Sequence, residues 1–175
     1  DGLGGTTLCN ILAVLCGALS GVTLARSLGP SHRGELAVAL LWPSVLVLLG
    51  DLGLGFAFSY FVARERERVS ELWSFAFLTG ALGGGTLALL GYVGLPWLLP
   101  TLPPQVHSVM RIGLAAVPIM LIGGYYGYLL LGAGYISDYN AIRLVASAVY
   151  VALVLTLAAS HNASVRVYAS AFVVS

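Results

Sequence analysis

The residues able to do chemistry in this chain are few, and most stand inside or beside long apolar runs. All eight basic residues are arginine, set against seven acidic residues, three histidines and two cysteines. Arg26 and Arg33 flank a Gly-Pro connector, Arg111 lies near the start of a later apolar run, Asn10 lies within the first run, and Asp51 is the one charge between Leu36 and Ala63. Arginine keeps its charge in any surroundings and presents a fork of donors that fits phosphate or carboxylate. Arg26, Arg33 and Arg111 are therefore candidate anion-binding groups; at helix ends the alternative is that they snorkel to the membrane surface. A central aspartate costs roughly 2.5–3.5 kcal/mol on insertion scales, so Asp51 must face the bundle interior, a wet cavity or a partner. Two roles are open to it. As a proton-binding group it would couple transport to a proton gradient; as a structural group it would hold a hydrogen bond to a neighbouring helix, with Asn10 or Ser44 as donor. Arg111 lies near the start of its run, at the end opposite the Arg64 to Arg68 cluster, so no direct Arg111–Asp51 pair is expected.

The remaining reactive residues point to no metal, organic cofactor or nucleic acid. His32, His107 and His161 fall in three separate connectors without metal-ligand spacing. Cys9 and Cys16 share one face of a helix but stand about 10 Å apart along it, which suits packing and is too far for a disulfide. Tyr125, Tyr126, Tyr128 and Tyr135 crowd one run, where they line a polar path or, for Tyr135, mark the aqueous boundary.

These side chains are carried by elements of membrane length. Apolar residues make up 59% of the chain, charged residues 9%, and the mean hydropathy is +0.95, which leaves too little polar surface to cover a soluble domain. Six hydrophobic stretches are read, at about 6–26, 35–63, 71–98, 108–133, 139–160 and 165–175. At about 1.5 Å per residue the second reaches roughly 43 Å, enough to cross a bilayer. Connectors carry helix punctuation: Gly29-Pro30-Ser31, Ser70 before Glu71, Pro100 to Pro104, Ser137-Asp138, and His161 to Ser164. Short connectors join antiparallel neighbours. The predicted fold is thus an all-α, up-and-down transmembrane bundle of five complete helices and the start of a sixth, a single domain over 1–175. Continuous apolar runs exclude a membrane β-barrel, which would show short alternating segments. Glycine pairs four residues apart, Gly17 and Gly21, Gly80 and Gly84, Gly123 and Gly127, predict close helix packing in lipid. Pro43, Pro118 and Gly83-Gly84-Gly85 allow bends.

The first run has no basic segment before it and no cleavage pattern after it, so it reads as a span and not a signal peptide. With no initiator Met and a last run of about eleven residues, the chain is expected to be a fragment of a longer protein. With the N-terminus inside, Arg64, Arg66, Arg68 and Arg143 would be cytoplasmic and Arg26, Arg33, Arg111 and Arg166 outside. That even division decides nothing by the positive-inside rule, and the compact Arg64 to Arg68 group tips the reading to a cytoplasmic N-terminus.

Arg26-Ser27-Leu28-Gly29-Pro30, then Arg33-Gly34-Glu35-Leu36, Gly50-Asp51-Leu52-Gly53-Leu54-Gly55 and Tyr60-Phe61-Val62-Ala63-Arg64 resemble the first helical hairpin of polysaccharide flippases. These belong to the multidrug/oligosaccharidyl-lipid/polysaccharide exporter superfamily, which also holds the lipid II flippases. The resemblance implies twelve to fourteen helices in two six-helix bundles around a central cavity, this chain forming most of the first bundle. A C-terminal bundle or second subunit would complete it. It also implies alternating access for a prenyl-pyrophosphate-linked oligosaccharide across the cytoplasmic membrane, in cell-surface polysaccharide biosynthesis, with lipid as the tail's surroundings. By that likeness Arg26 and Arg33 would serve the pyrophosphate, their spacing differing by one residue from the lipid II flippase pair. In such a protein the sequon Asn162-Ala163-Ser164 reads as chance. Two rivals are a membrane-embedded glycan-assembly enzyme and a non-transporting scaffold. An enzyme would present catalytic groups on substantial loops, and the connectors here are short.

Overall fold

A computed structural model describes residues 3–98, 100, 104–159 and 167–170. Among them the secondary structure is helical: α1 (Leu3–Asp51), α2 (Leu54–Arg64), a 3-10 turn (Arg66–Arg68), α3 (Val69–Leu98), α4 (Pro104–Ala133) and α5 (Ile136–Ala159), with 167–170 forming a short further helix. Five stretches are long and apolar enough to cross a membrane: Gly4–Gly29, His32–Asp51, Val69–Leu95, Val106–Ala133 and Ile136–Ala159. The His161 to Ser164 connector and Arg166 lie outside the described residues, as does most of the sixth predicted span.

Two boundaries differ from the sequence reading. The Arg26 to Gly34 connector is helical on both sides of one residue, Gly29, whose φ of 73° takes up the whole turn. Only glycine adopts that conformation without steric cost, and Pro30 after it suits a first helical turn, which needs no amide donor. The chain folds back there: Leu24 and Leu36 meet in one apolar cluster. The predicted single helix 35–63 is broken at Leu52 (φ 45°) and Gly53 (φ 81°). The second pass through the membrane is therefore the second arm of α1 followed by α2.

Packing divides the helices unequally. α4 lies along α3, α2 and the second arm of α1, while α5 lies along the first arm of α1 and barely touches α4. Small residues set these approaches. A Cβ on Gly84 would stand 2.5 Å from Pro118 Cα, and one on Gly113 would stand 2.7 Å from Pro43 Cγ. Without a hydrophobic drive between helices in lipid, such backbone proximity supplies the van der Waals contact that holds them. Leu48, Leu52 and Trp97 are among the large side chains left exposed, as lipid-facing surfaces require.

Candidate functional site

The break between α1 and α2 has its loose backbone groups answered from two directions. Non-helical backbone at membrane depth persists only where protein or a wet cavity satisfies it. Here Gly55 N–H donates to Asp51 Oδ1 at 3.2 Å, so the carboxylate caps α2, whose cap residue Gly53 has no side chain to offer. Tyr125 of α4 donates its hydroxyl to the Gly50 carbonyl at 3.3 Å. Its ring is buried against Phe58, centroids 5.1 Å apart. Asp51 and Tyr125 also line an open recess of about 350 Å³ with Ser44, Met120, Gly124 and Tyr128. The Ser44 hydroxyl is engaged with the Leu40 carbonyl at 2.9 Å. Tyr125→Phe keeps the ring and strips the Gly50 carbonyl of its donor. It is expected to lower stability by about 1 kcal/mol and to speed amide exchange across 54–57, read by thermal unfolding and hydrogen exchange.

A larger cleft of about 740 Å³ opens where α4 and α5 diverge, with Gly123, Gly124, Tyr126, Tyr128, Tyr139 and Arg143 in its wall. Gly124 and Tyr128 belong to both hollows, so the cleft runs along α4 to the helix break. Its rings are fixed. Tyr126 packs on Trp73 with centroids 4.5 Å apart, Tyr128 packs on Phe56 at 5.2 Å, and Tyr139 lies over Gly127.

The predicted anion-binding residues gather at the other end. Arg26 lines a recess of about 530 Å³ with Thr23, Ser27, Leu157 and Tyr168, where Tyr168 donates to Ser27 Oγ at 3.2 Å. Arg33 is exposed and reaches back towards Gly21, its Nη2 4.0 Å from where a Cβ there would lie. Arg111 stacks on the Tyr92 ring of α3, 4.7 Å from its centroid, a cation–π contact that holds the guanidinium at the helix surface. Asn10 is exposed on the first arm of α1; the buried amide on this side of the bundle is Asn140, which donates to Thr6 Oγ1 at 3.1 Å. Arg143 was read from sequence only as a boundary charge. Its i,i+4 pairing with Tyr139 on one helix face was the available signal.

The connector after α2 is a self-contained ionic cluster. Arg68 pairs with Glu65 at 3.3 Å and Glu71 at 2.8 Å, and Glu71, first by hydrogen bond and then by charge, holds the Arg68 proton more tightly than usual. All three side chains are well exposed. Among the described residues no group of three or more His, Cys, Asp or Glu side chains is placed to hold a metal ion.

A family model described as "Polysaccharide biosynthesis protein" matches residues 1–175. No curated protein and no solved structure gives a match.

Proposed function

We propose, from the premise that this chain belongs to the polysaccharide biosynthesis protein family, a membrane family of transporters, that the full-length protein flips a prenyl-pyrophosphate-linked oligosaccharide across the cytoplasmic membrane by alternating access. The observation that carries this reading is the family match over the whole chain. Five apolar helices of spanning length and a discontinuous second pass support it, since transporters place broken helices at their substrate and ion sites. In this reading the chain is one bundle, and a C-terminal bundle or second subunit closes the cavity from the other side. The N-terminus is cytoplasmic, so the Arg64 to Arg68 connector faces the cytoplasm.

A sugar pyrophosphate cannot cross hydrocarbon unaided, and a flippase must offer its charge a polar surface while the prenyl tail stays in lipid. Arg26, in its recess, and Arg33 receive the pyrophosphate at the outer end; Arg111, held by Tyr92, adds a third cation at that end. Asp51 is the polar group of the interior path, acting through the helix break it caps, and Asn10, exposed on the first arm of α1, joins that path where the second bundle closes over it. The protein performs no bond-making chemistry in this scheme.

The test is reconstitution of the full-length protein in proteoliposomes loaded with a fluorescent lipid-linked oligosaccharide, with headgroup exposure followed by a membrane-impermeant quencher. Flipping above protein-free vesicles is expected, and Arg26→Ala should slow it about tenfold, the loss of one charge-assisted contact. Vesicles whose headgroups stay on their starting side would remove the transporter reading and leave the scaffold.

A further inference from the structure

We propose that the cleft between α4 and α5 is a docking site for the phosphate-bearing head of a prenyl-linked sugar lipid, with Arg143 holding the phosphate and the tyrosine wall holding the first sugar. The class of occupant rests on the transporter reading above; the existence and place of the site rest on the cleft itself.

Charge complementarity argues for an anion. Among the described residues the Arg143 guanidinium, like those of Arg26 and Arg33 at the other end, has no hydrogen-bond or ion-pair partner, whereas at its own end Arg64 bonds to Tyr60 and Arg68 to two glutamates. Arg143 stands seven residues after Ile136, roughly 10 Å along α5, exposed on a helix of spanning length, where a cation without a partner needs water or a counter-ion. The same wall offers what a sugar needs. Tyr126, Tyr128 and Tyr139 are amphipathic rings already immobilised by Trp73, Phe56 and Gly127, so little side-chain entropy is lost on binding. The floor is bare: a Cβ on Gly123 or Gly124 would meet nothing within 4 Å. Leu130, Leu131 and Ile142 complete the wall and give a tail an apolar surface beside the head. A volume of about 740 Å³ falls within the ordinary range for a ligand cavity. The cleft lies at the end of the bundle opposite Arg26, which makes it a loading position distinct from the arginines at the other mouth.

The experiment is equilibrium binding to the purified full-length protein in neutral phosphatidylcholine nanodiscs, with farnesyl diphosphate as probe and native mass spectrometry as readout. Arg143→Ala is expected to weaken binding about tenfold, Arg143→Lys less, and Gly124→Ile, which fills the floor, at least as much as Arg143→Ala. Arg64→Ala, which removes a cation from the same end but outside the cleft, should leave binding unchanged. Inorganic pyrophosphate and farnesol alone should each bind at least tenfold more weakly than the joined molecule. Equal weakening by Arg64→Ala and Arg143→Ala would reduce the effect to general surface charge and overturn the site. Inorganic pyrophosphate binding as well as farnesyl diphosphate would make it a free-anion site and overturn the lipid assignment. Binding that behaves as expected in a protein that does not flip lipid would keep the cleft and sink the transporter reading; flipping untouched by Arg143→Ala and Gly124→Ile would do the reverse.

Discussion

Asp51→Ala is expected to slow lipid flipping by the full-length protein by about tenfold or more, while Asp51→Asn keeps most of it. The two variants divide the functions of one carboxylate. An asparagine oxygen can still accept the Gly55 N–H that Asp51 Oδ1 accepts at 3.2 Å; alanine cannot, and the α2 amide is then left open at a point where lipid offers no substitute. Loss of a helix N-cap costs about 1 kcal/mol in water, and a donor left unmet in an apolar setting costs about 1–3 kcal/mol. The upper end of that range is more than tenfold in the population of the capped break. Flipping rates of the two variants in proteoliposomes, with thermal unfolding of the same preparations, check this. Should Asp51→Asn lose as much flipping as Asp51→Ala while unfolding like the parent, the negative charge itself is required, and proton coupling replaces capping as the role of Asp51.

Gly84→Leu is expected to be the most destabilising of the glycine substitutions on α3, by about 3 kcal/mol or more. At Gly84 the neighbour is the backbone of Pro118, Cα at 2.5 Å and N at 3.0 Å from the Cβ position, and a proline within a helix cannot yield by rotating a side chain. Gly80, one turn earlier, meets the Ile122 backbone at 3.1 Å, so the strain cannot be relieved by sliding α3 along α4. Gly83 provides the contrast. It is exposed with nothing within 4 Å, and Gly83→Ala should stabilise by up to about 1 kcal/mol through helix propensity alone. Denaturant unfolding of the full-length protein in detergent micelles would show opposite signs at adjacent positions. A Gly84→Leu protein as stable as the parent would mean that α3 and α4 do not cross there.

The spans were legible because hydrocarbon imposes a length and a composition that periodicity need not help to find. The starts of α3 and α5 fall one residue before Ser70 and Ser137, with Glu71 and Asp138 in the first turns as the sequence suggests. The break at Asp51 was not legible as a break: Gly50 to Gly55 fell inside one continuous apolar run, and what marks the break is whether a donor on another helix meets the freed carbonyl. That donor, Tyr125, stands 75 residues away. Asn10 and Ser44 were reasonable donors for Asp51 by type, but the nearest backbone amide reaches it within one helical turn, and local capping needs no tertiary search. Arg143 was passed over because its distance from a helix end looks interfacial in one dimension, whereas its surroundings depend on two helices diverging. Sequence spacing describes a helix face well and the gap between two helices poorly.

The first arm of α1 and α5 are riveted to each other by Asn140 on Thr6, and the Tyr168 segment that follows α5 is pinned to Ser27 at the far end of the same arm. Towards α4 the contacts are apolar: Leu24 and Val154 share one buried cluster with Val106, Val109 and Met110. The first arm of α1 and α5 thus form one hydrogen-bonded pair laid against the other helices, with Gly29 as the turn between the arms of α1. A load on that pair would meet directional bonds within it and side-chain packing alone across to α4, so the α4–α5 gap is where the assembly is expected to give first.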